Sequence, residues 1–201
     1  TDPIDRITEN AVVTADGKER RIDTLVIATG FRATKYLSAI DVRGREGRSI
    51  EEAWSDGAAA YHGVTTAGFP NLFMLYGPNT NNGSIIEMIE CQVDHALQLI
   101  EHLCAEDLGW IDVRKQPMDH YNDEVQEGIQ KVDVWQAGCN GYYRTPDGRI
   151  VTQWPFSMSE FRNRSSQIDL KAFESGTEAA GGRQQEKIFD SSASTSAKDT
   201  H

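Results

Sequence analysis

Two apolar runs, each halted by a glycine, constrain this chain more than any other feature. The first is Asp23-Thr-Leu-Val-Ile-Ala-Thr-Gly-Phe31 and the second is Gly68-Phe-Pro-Asn-Leu-Phe-Met-Leu-Tyr-Gly-Pro-Asn-Thr80. Leu25 to Ala28 lacks polar alternation, which predicts a strand buried on both faces. Leu72 to Tyr76 predicts a second, with Pro70 placed just before it, where a missing N–H does least harm. Gly30 and Gly77 would let the backbone turn sharply or approach a ligand closely. In doubly wound α/β proteins ligands bind where strand ends deliver the chain to a crevice, so two such ends point to a nucleotide-cofactor enzyme.

Other segments frame these runs. Val12-Val13, Asp16-Gly17 and the run from Arg21 read as a hairpin, because both turn residues tolerate positive φ. Ile50 to Trp54 reads as one helical turn, with Trp54 and Tyr61 anchoring a loop region. After the polar loop Gly77 to Gly83, Ser84 and Glu87 form a Ser-x-x-Glu capping box at the head of a helix reaching about Cys104. Ile86, Ile89, Val93, Leu97, Ile100 and Leu103 recur at helical spacing as its apolar stripe. The free N–H groups at its start suit an anionic or strongly accepting group. Trp110 to Val113 reads as a short strand, Met118 to Lys131 as a helix opened by Pro117, Thr145 to Gly148 as a turn, and Arg149 to Trp154 as a last strand. Beyond about Glu174 bulky apolar residues are scarce, which predicts a disordered tail.

The net charge of -11 argues against nucleic acid or an anionic membrane surface as partner. No apolar run approaches the roughly 18 residues of a membrane span, and Thr-Asp-Pro-Ile-Asp-Arg is not a signal peptide. Three cysteines, Cys91, Cys104 and Cys139, support neither a disulfide framework nor a zinc site. Cys91 and Cys104 are expected as buried thiols, and the setting as reduced and cytoplasmic. His62, His95, His102 and His120 have neither metal spacing nor a paired nucleophile, and His95 and His102 are expected at a solvated rim. Glu87 and Glu90 read as cap and surface groups. The chain begins at Thr1 without an initiator Met, as a fragment would.

Four stretches carry a resemblance to a known family. They are Leu25-Val-Ile-Ala-Thr-Gly-Phe31, Phe69 to Thr80, Ser84-Ile-Ile-Glu-Met-Ile-Glu-Cys-Gln92 and Val134-Trp-Gln-Ala-Gly-Cys-Asn-Gly-Tyr-Tyr143, with Gly148 to Pro155 in support. In this order and spacing, about Ile4 to Phe173 resembles the C-terminal part of a flavin-dependent monooxygenase of the Baeyer–Villiger and FMO-like group, tilted toward the hydroxyacetophenone monooxygenase branch. The resemblance implies an α/β fold: the incomplete C-terminal part of a two-dinucleotide-binding, Rossmann-type flavoprotein. Residues 1–30 would close an NADPH-binding domain, 31–173 would belong to the FAD-binding domain, and 174–201 would be the disordered tail. The implied activity uses FAD, NADPH and O2 to insert one oxygen atom into a ketone. The cofactor carries that chemistry, while the protein supplies position and excludes water. The implied cofactor contacts are Thr29, Gly30, Gly77, Pro78, Asn79, Thr80, Ser84, Ile85 and Tyr142. No catalytic residue is assigned and no metal is implied.

The chain departs from the family in several places. No G-x-G-x-x-G is present, and Gly44-Arg-Glu-Gly47 does not match it. The loop from Gly77 to Ser84 is shorter than the family norm and lacks its usual histidine. Tyr142 stands where relatives often carry a tryptophan. Two rivals therefore stand beside the ketone oxygenase: a truncated or diverged non-catalytic fragment, and an FMO-like enzyme that oxygenates nitrogen or sulfur. A separately encoded N-terminal half is a possible partner.

Overall fold

The structure, a computed structural model, describes residues 2–28, 30, 32–136 and 143–177. It divides into two compact units at Arg32/Ala33.

The first unit is a three-stranded antiparallel meander of β1 (Ile4–Ile7), β2 (Ala11–Thr14) and β3 (Glu19–Arg21), with β2 in the middle. The expected hairpin forms. Gly17 takes φ +81°, Thr14 N–H donates to the Lys18 carbonyl at 3.0 Å, and the Thr14 hydroxyl donates to Asp16 at 2.6 Å. Ala11 and Val13 are buried. The strand expected over Leu25 to Ala28 is not formed, and Val26 and Ile27 are 79% and 78% exposed. A strand is stable only against a ladder partner, and none of the described residues pairs with this run.

The second unit is mainly helical. α1 (Ile50–Ala53) starts at a full capping box, in which Ser49 accepts from Glu52 N–H and the Glu52 carboxylate accepts from Ser49 N–H. α2 (Ile85–Ala105) follows with Ser84 as cap. β4 (Trp110–Val113) pairs antiparallel with β5 (Phe173–Gly176), and α3 (Lys115–Gln130), α4 (Asp133–Gln136) and α5 (Met158–Ser165) lie between them in sequence. β5 runs three residues past Phe173, so residues 174–176 of the expected tail are strand. Residues 178–201 lie outside the described residues. Asp112 on β4 is buried, and its carboxylate accepts from Arg45 at 3.0 Å and from Gly68 N–H at 3.2 Å. Burial raises its pKa above the usual carboxylate value, and the Arg45 guanidinium opposes that shift.

Two apolar clusters make the core. One joins Met88, Tyr121, Val125, Ile129, Ile150, Trp154 and Phe161, and half-buried Trp135 packs against it. The other joins Leu99, Ile111, Val113, Met118, Ala172 and Phe173. Trp154 is fully buried, edge-on to Phe156 and Phe161, and donates to the Ser157 carbonyl at 3.1 Å.

Several expectations fail here for stated reasons. Leu72 to Tyr76 is irregular, because its polar groups are taken singly. Met74 N–H goes to the Val64 carbonyl at 2.8 Å and Tyr76 N–H to the Gln92 side chain at 2.7 Å. Arg149 to Trp154 makes only isolated bridges, Arg144↔Ile150 and Asn81↔Gln153. α2 turns Met88, Gln92, His95, Ala96 and Leu99 inward, while Ile86, Leu97 and Ile100 of the expected stripe are exposed. Cys91 is half-buried and Cys104 exposed, and Cys139 lies outside the described residues.

Candidate functional site

The loop after Tyr76 is built from the backbone outward. Tyr76 and Asn79 take positive φ, 58° and 57°. Gly77 lies against Gly63, where a Cβ on Gly77 would overlap the Gly63 carbonyl. Gly63 itself has φ +68°, and a Cβ there would fall into the Thr80 methyl and 2.8 Å from the Gln92 amide nitrogen. Gln92 fixes this contact from α2. Its amide donates to the His62 and Gly63 carbonyls at 3.2 and 3.1 Å while its oxygen accepts from Tyr76 N–H.

Gly77, Pro78, Asn79 and Thr80 are all buried. The Thr80 hydroxyl donates to the Gly77 carbonyl at 2.6 Å. Asn79 reaches across to residues 150–153. Its N–H donates to the Val151 carbonyl at 2.8 Å, and its amide donates to the Ile150 and Gln153 carbonyls at 3.0 and 2.9 Å. Asn81 N–H and Trp154 N–H continue the stitching. The apolar segment expected as a last strand therefore spends its carbonyls on this loop. Asn79 Oδ1 and Thr152 Oγ1 are buried without a protein partner.

The loop delivers the chain to α2. Ser84 Oγ accepts from Glu87 N–H at 3.4 Å. The return half of the expected capping box is replaced by an ion pair from Glu87 to Arg162 of α5. Ser84 and Ile85 are exposed at the helix start. Gly77, Pro78, Asn79 and Thr80, all buried, and Ser84 and Ile85, both exposed, thus belong to one continuous stretch of the second unit, its candidate edge. Gly30 belongs to the first unit, exposed and with φ +72°. Thr29 and Tyr142 lie outside the described residues.

Sequence reasoning missed a buried polar cluster beside this edge. His95 is fully buried, not at a rim, and His62 is 5% exposed with φ +53°. The ring centroids of His62 lie 5.2 Å from His95 and 4.7 Å from Tyr121. His95 Nδ1 faces the Ser165 carbonyl at 3.1 Å. A carbonyl only accepts, so that nitrogen carries the proton and Nε2 is left as an acceptor. His62 Nδ1, His95 Nε2 and the Tyr121 hydroxyl have no protein partner. Burial, with His95 and Arg164 nearby, pushes His62 down to about 3. Burial also lowers His95, and the Ser165 carbonyl opposes that shift. The one signal in the sequence was phase. His95 lies seven residues after Met88 and three after Gln92, on the helix face that the core takes. Among the described residues no group of three or more His, Cys, Asp or Glu side chains could hold a metal ion, and no helix is long and apolar enough to cross a membrane.

No family model matches the chain. A Baeyer–Villiger monooxygenase of Pseudomonas aeruginosa is 37% identical over 177 residues, 86% of this chain and 33% of that protein. The FAD-binding monooxygenase ktnD of Aspergillus niger is 38% identical over 84% of this chain and 28% of its own length. A closed crystal structure of cyclohexanone monooxygenase superposes with a TM-score of 0.72 at 27% identity, covering 88% of this chain and 34% of that one. An OTEMO complex with FAD and NADP superposes with a TM-score of 0.70 at 26% identity, covering 87% and 33%. The chain spans about a third of the length of the curated relatives it matches. It is therefore related, over about a third of their length, to the Baeyer–Villiger and FAD-binding monooxygenases.

Proposed function

We propose that this chain is the C-terminal portion of an FAD- and NADPH-dependent monooxygenase that inserts one oxygen atom of O2 into a ketone. The observation that carries the reading is a double likeness over the same stretch: 37% identity to a Baeyer–Villiger monooxygenase and a TM-score of 0.72 to cyclohexanone monooxygenase. Bound FAD, reduced by NADPH, would supply the oxygen-activating chemistry.

The residues present fit one edge of such a site. α2 offers an exposed, Ser84-capped start whose N–H groups suit an electron-rich ring edge. The loop from Gly77 to Thr80 is held rigidly behind it and keeps an unpaired Asn79 Oδ1. Gly77, Pro78, Asn79 and Thr80 would shape the flavin edge through the backbone, because the Asn79 amide and Thr80 hydroxyl already serve internal bonds. Ser84 and Ile85 would face the ring. The assignments of Thr29, Gly30 and Tyr142 rest on the resemblance. Residues 1–30 as the close of an NADPH-binding domain and 31–173 as part of the FAD-binding domain fit a division at Arg32/Ala33. The remaining part of the flavoprotein is the implied partner. A reduced, cytoplasmic setting is consistent with the free thiols of Cys91 and Cys104.

The test is a chimera in which this chain replaces the matched segment of the Pseudomonas aeruginosa relative. NADPH- and O2-dependent conversion of ketones to esters is expected. Oxygenation of amines or sulfides alone would move the protein to the FMO-like branch, and a folded chimera without any oxygenation would favour a diverged, non-catalytic segment.

A further inference from the structure

The chain contains two Asn-Gly pairs, Asn82-Gly83 and Asn140-Gly141. The second lies outside the described residues. The first sits between the buried loop over residues 77–80 and the start of α2, and both of its residues are exposed. Asparagine is chemically labile, and a following glycine leaves the next backbone nitrogen without a neighbouring β-carbon to shield it. Packing calls for glycine here, because a Cβ on Gly83 would overlap the Met158 sulfur. Asn82 takes φ +95°, and its side-chain amide donates to the Trp154 carbonyl at 3.2 Å. Among the described residues the Gly83 N–H donates to no acceptor. Asn79 lacks this combination. It is 1% exposed, its amide donates to two carbonyls, and β-branched Thr80 follows it.

We propose that Asn82 is a site of spontaneous covalent modification, which places a carboxylate just ahead of α2. The Gly83 nitrogen gives up its proton and attacks Asn82 Cγ. The new N–C bond closes a succinimide ring, the Cγ–Nδ2 bond breaks, and the side-chain nitrogen leaves as ammonia, carrying that proton. Water then opens the ring on either side of the shared nitrogen. One opening yields aspartate, and the other yields isoaspartate, whose backbone runs through Cβ. The sequence of steps consumes only water. Either product replaces the amide that donates to the Trp154 carbonyl with a carboxylate that cannot, two residues before Ser84. On the monooxygenase reading, the new negative charge stands beside the helix start that receives an electron-rich ring edge, so the modification weakens FAD binding. That consequence rests on the monooxygenase reading, and the chemistry at Asn82 does not.

The test incubates the purified 201-residue chain, folded and unfolded in guanidinium, and locates modified residues by peptide mass spectrometry. In the folded chain the amide-to-acid mass change is expected at Asn82 and not at Asn79, with isoaspartate among the products. It should run faster in alkaline than in neutral buffer, because the attacking nitrogen must lose its proton. Gly83→Ala should slow it by roughly tenfold or more, since the added β-carbon shields that nitrogen. A folded chain that keeps Asn82 intact while the unfolded chain loses it would overturn the proposal. So would a loss that Gly83→Ala does not slow. In the chimera with the Pseudomonas aeruginosa relative, Asn82→Asp should raise the Kd for FAD severalfold above that of Asn82→Ala, which loses the same hydrogen bond without adding charge. Equal Kd values would overturn the effect on FAD. A chimera that holds no FAD in any form would contradict the monooxygenase reading, while the mass spectrum still decides the modification.

Discussion

Replacing Gly63 with alanine is expected to destabilise the second unit by about 2–4 kcal/mol, combining left-handed backbone cost with overpacking. A drop in melting temperature of roughly 6–12 °C in a thermal melt would register it. The cause is geometric. At φ +68° a side chain is strained, and its Cβ would enter the Thr80 methyl and approach the Gln92 amide and the Pro78 carbonyl. None of these neighbours is free to move. Thr80 is bonded to Gly77, Gln92 bonds His62, Gly63 and Tyr76, and Pro78 is buried. Gly77→Ala should cost a similar amount, because its Cβ meets the Gly63 carbonyl. The double change should cost less than the sum, since both disturb one contact. Gly17→Ala offers a control. It also has positive φ, but nothing lies within 4 Å of its Cβ, so only the backbone term of about 1 kcal/mol applies. Equal losses at Gly17 and Gly63 would show that the Gly63–Gly77 contact is not the cause.

Acidification should weaken the fold through His62 and His95. Burial lowers the pKa of both, His62 down to about 3 and His95 in the same direction. In the unfolded chain each titrates near 6.5. A group whose folded pKa is depressed adds no penalty above its unfolded pKa. Below it, the unfolded state binds protons that the native state refuses, so stability falls as the pH drops. The slope is about 1.4 kcal/mol per pH unit while His62 stays neutral, or about 2 kcal/mol from His62 between pH 7 and pH 5, and His95 adds a loss of the same sign. Melts across that range should show the loss. His62→Asn, a residue that tolerates positive φ, combined with His95→Gln, which can still donate to the Ser165 carbonyl, should flatten the curve. An equally steep acid limb in the double variant would assign the loss to other groups.

Local signals were legible in the sequence. Asp16-Gly17 marked the hairpin, Ser84 the cap of α2, Thr145 to Gly148 the turn, and Trp110 to Val113 a strand that does pair. Signals that need a distant partner were not. Leu25 to Ala28 and Leu72 to Tyr76 have the composition of buried strands, but pairing depends on a neighbour that composition does not name. α2 shows the same limit in another form. Its most regular apolar row faces outward, while its buried face carries Gln92 and His95, which a hydrophobic pattern passes over. The candidate edge from Gly77 to Ile85 was found as a motif, and its rigidity was not. That rigidity comes from Gly63, Gln92 and the carbonyls of residues 150–153, all remote in sequence.

The central claim is that this chain supplies one edge of a flavin site whose remainder lies in the rest of the protein. Flavin stoichiometry tests it most directly, measured by visible absorbance on the purified 201-residue chain and on the chimera. The account predicts a colourless isolated chain and a yellow chimera holding one FAD per molecule. A folded chimera without flavin, or stoichiometric FAD on the isolated chain, would contradict it.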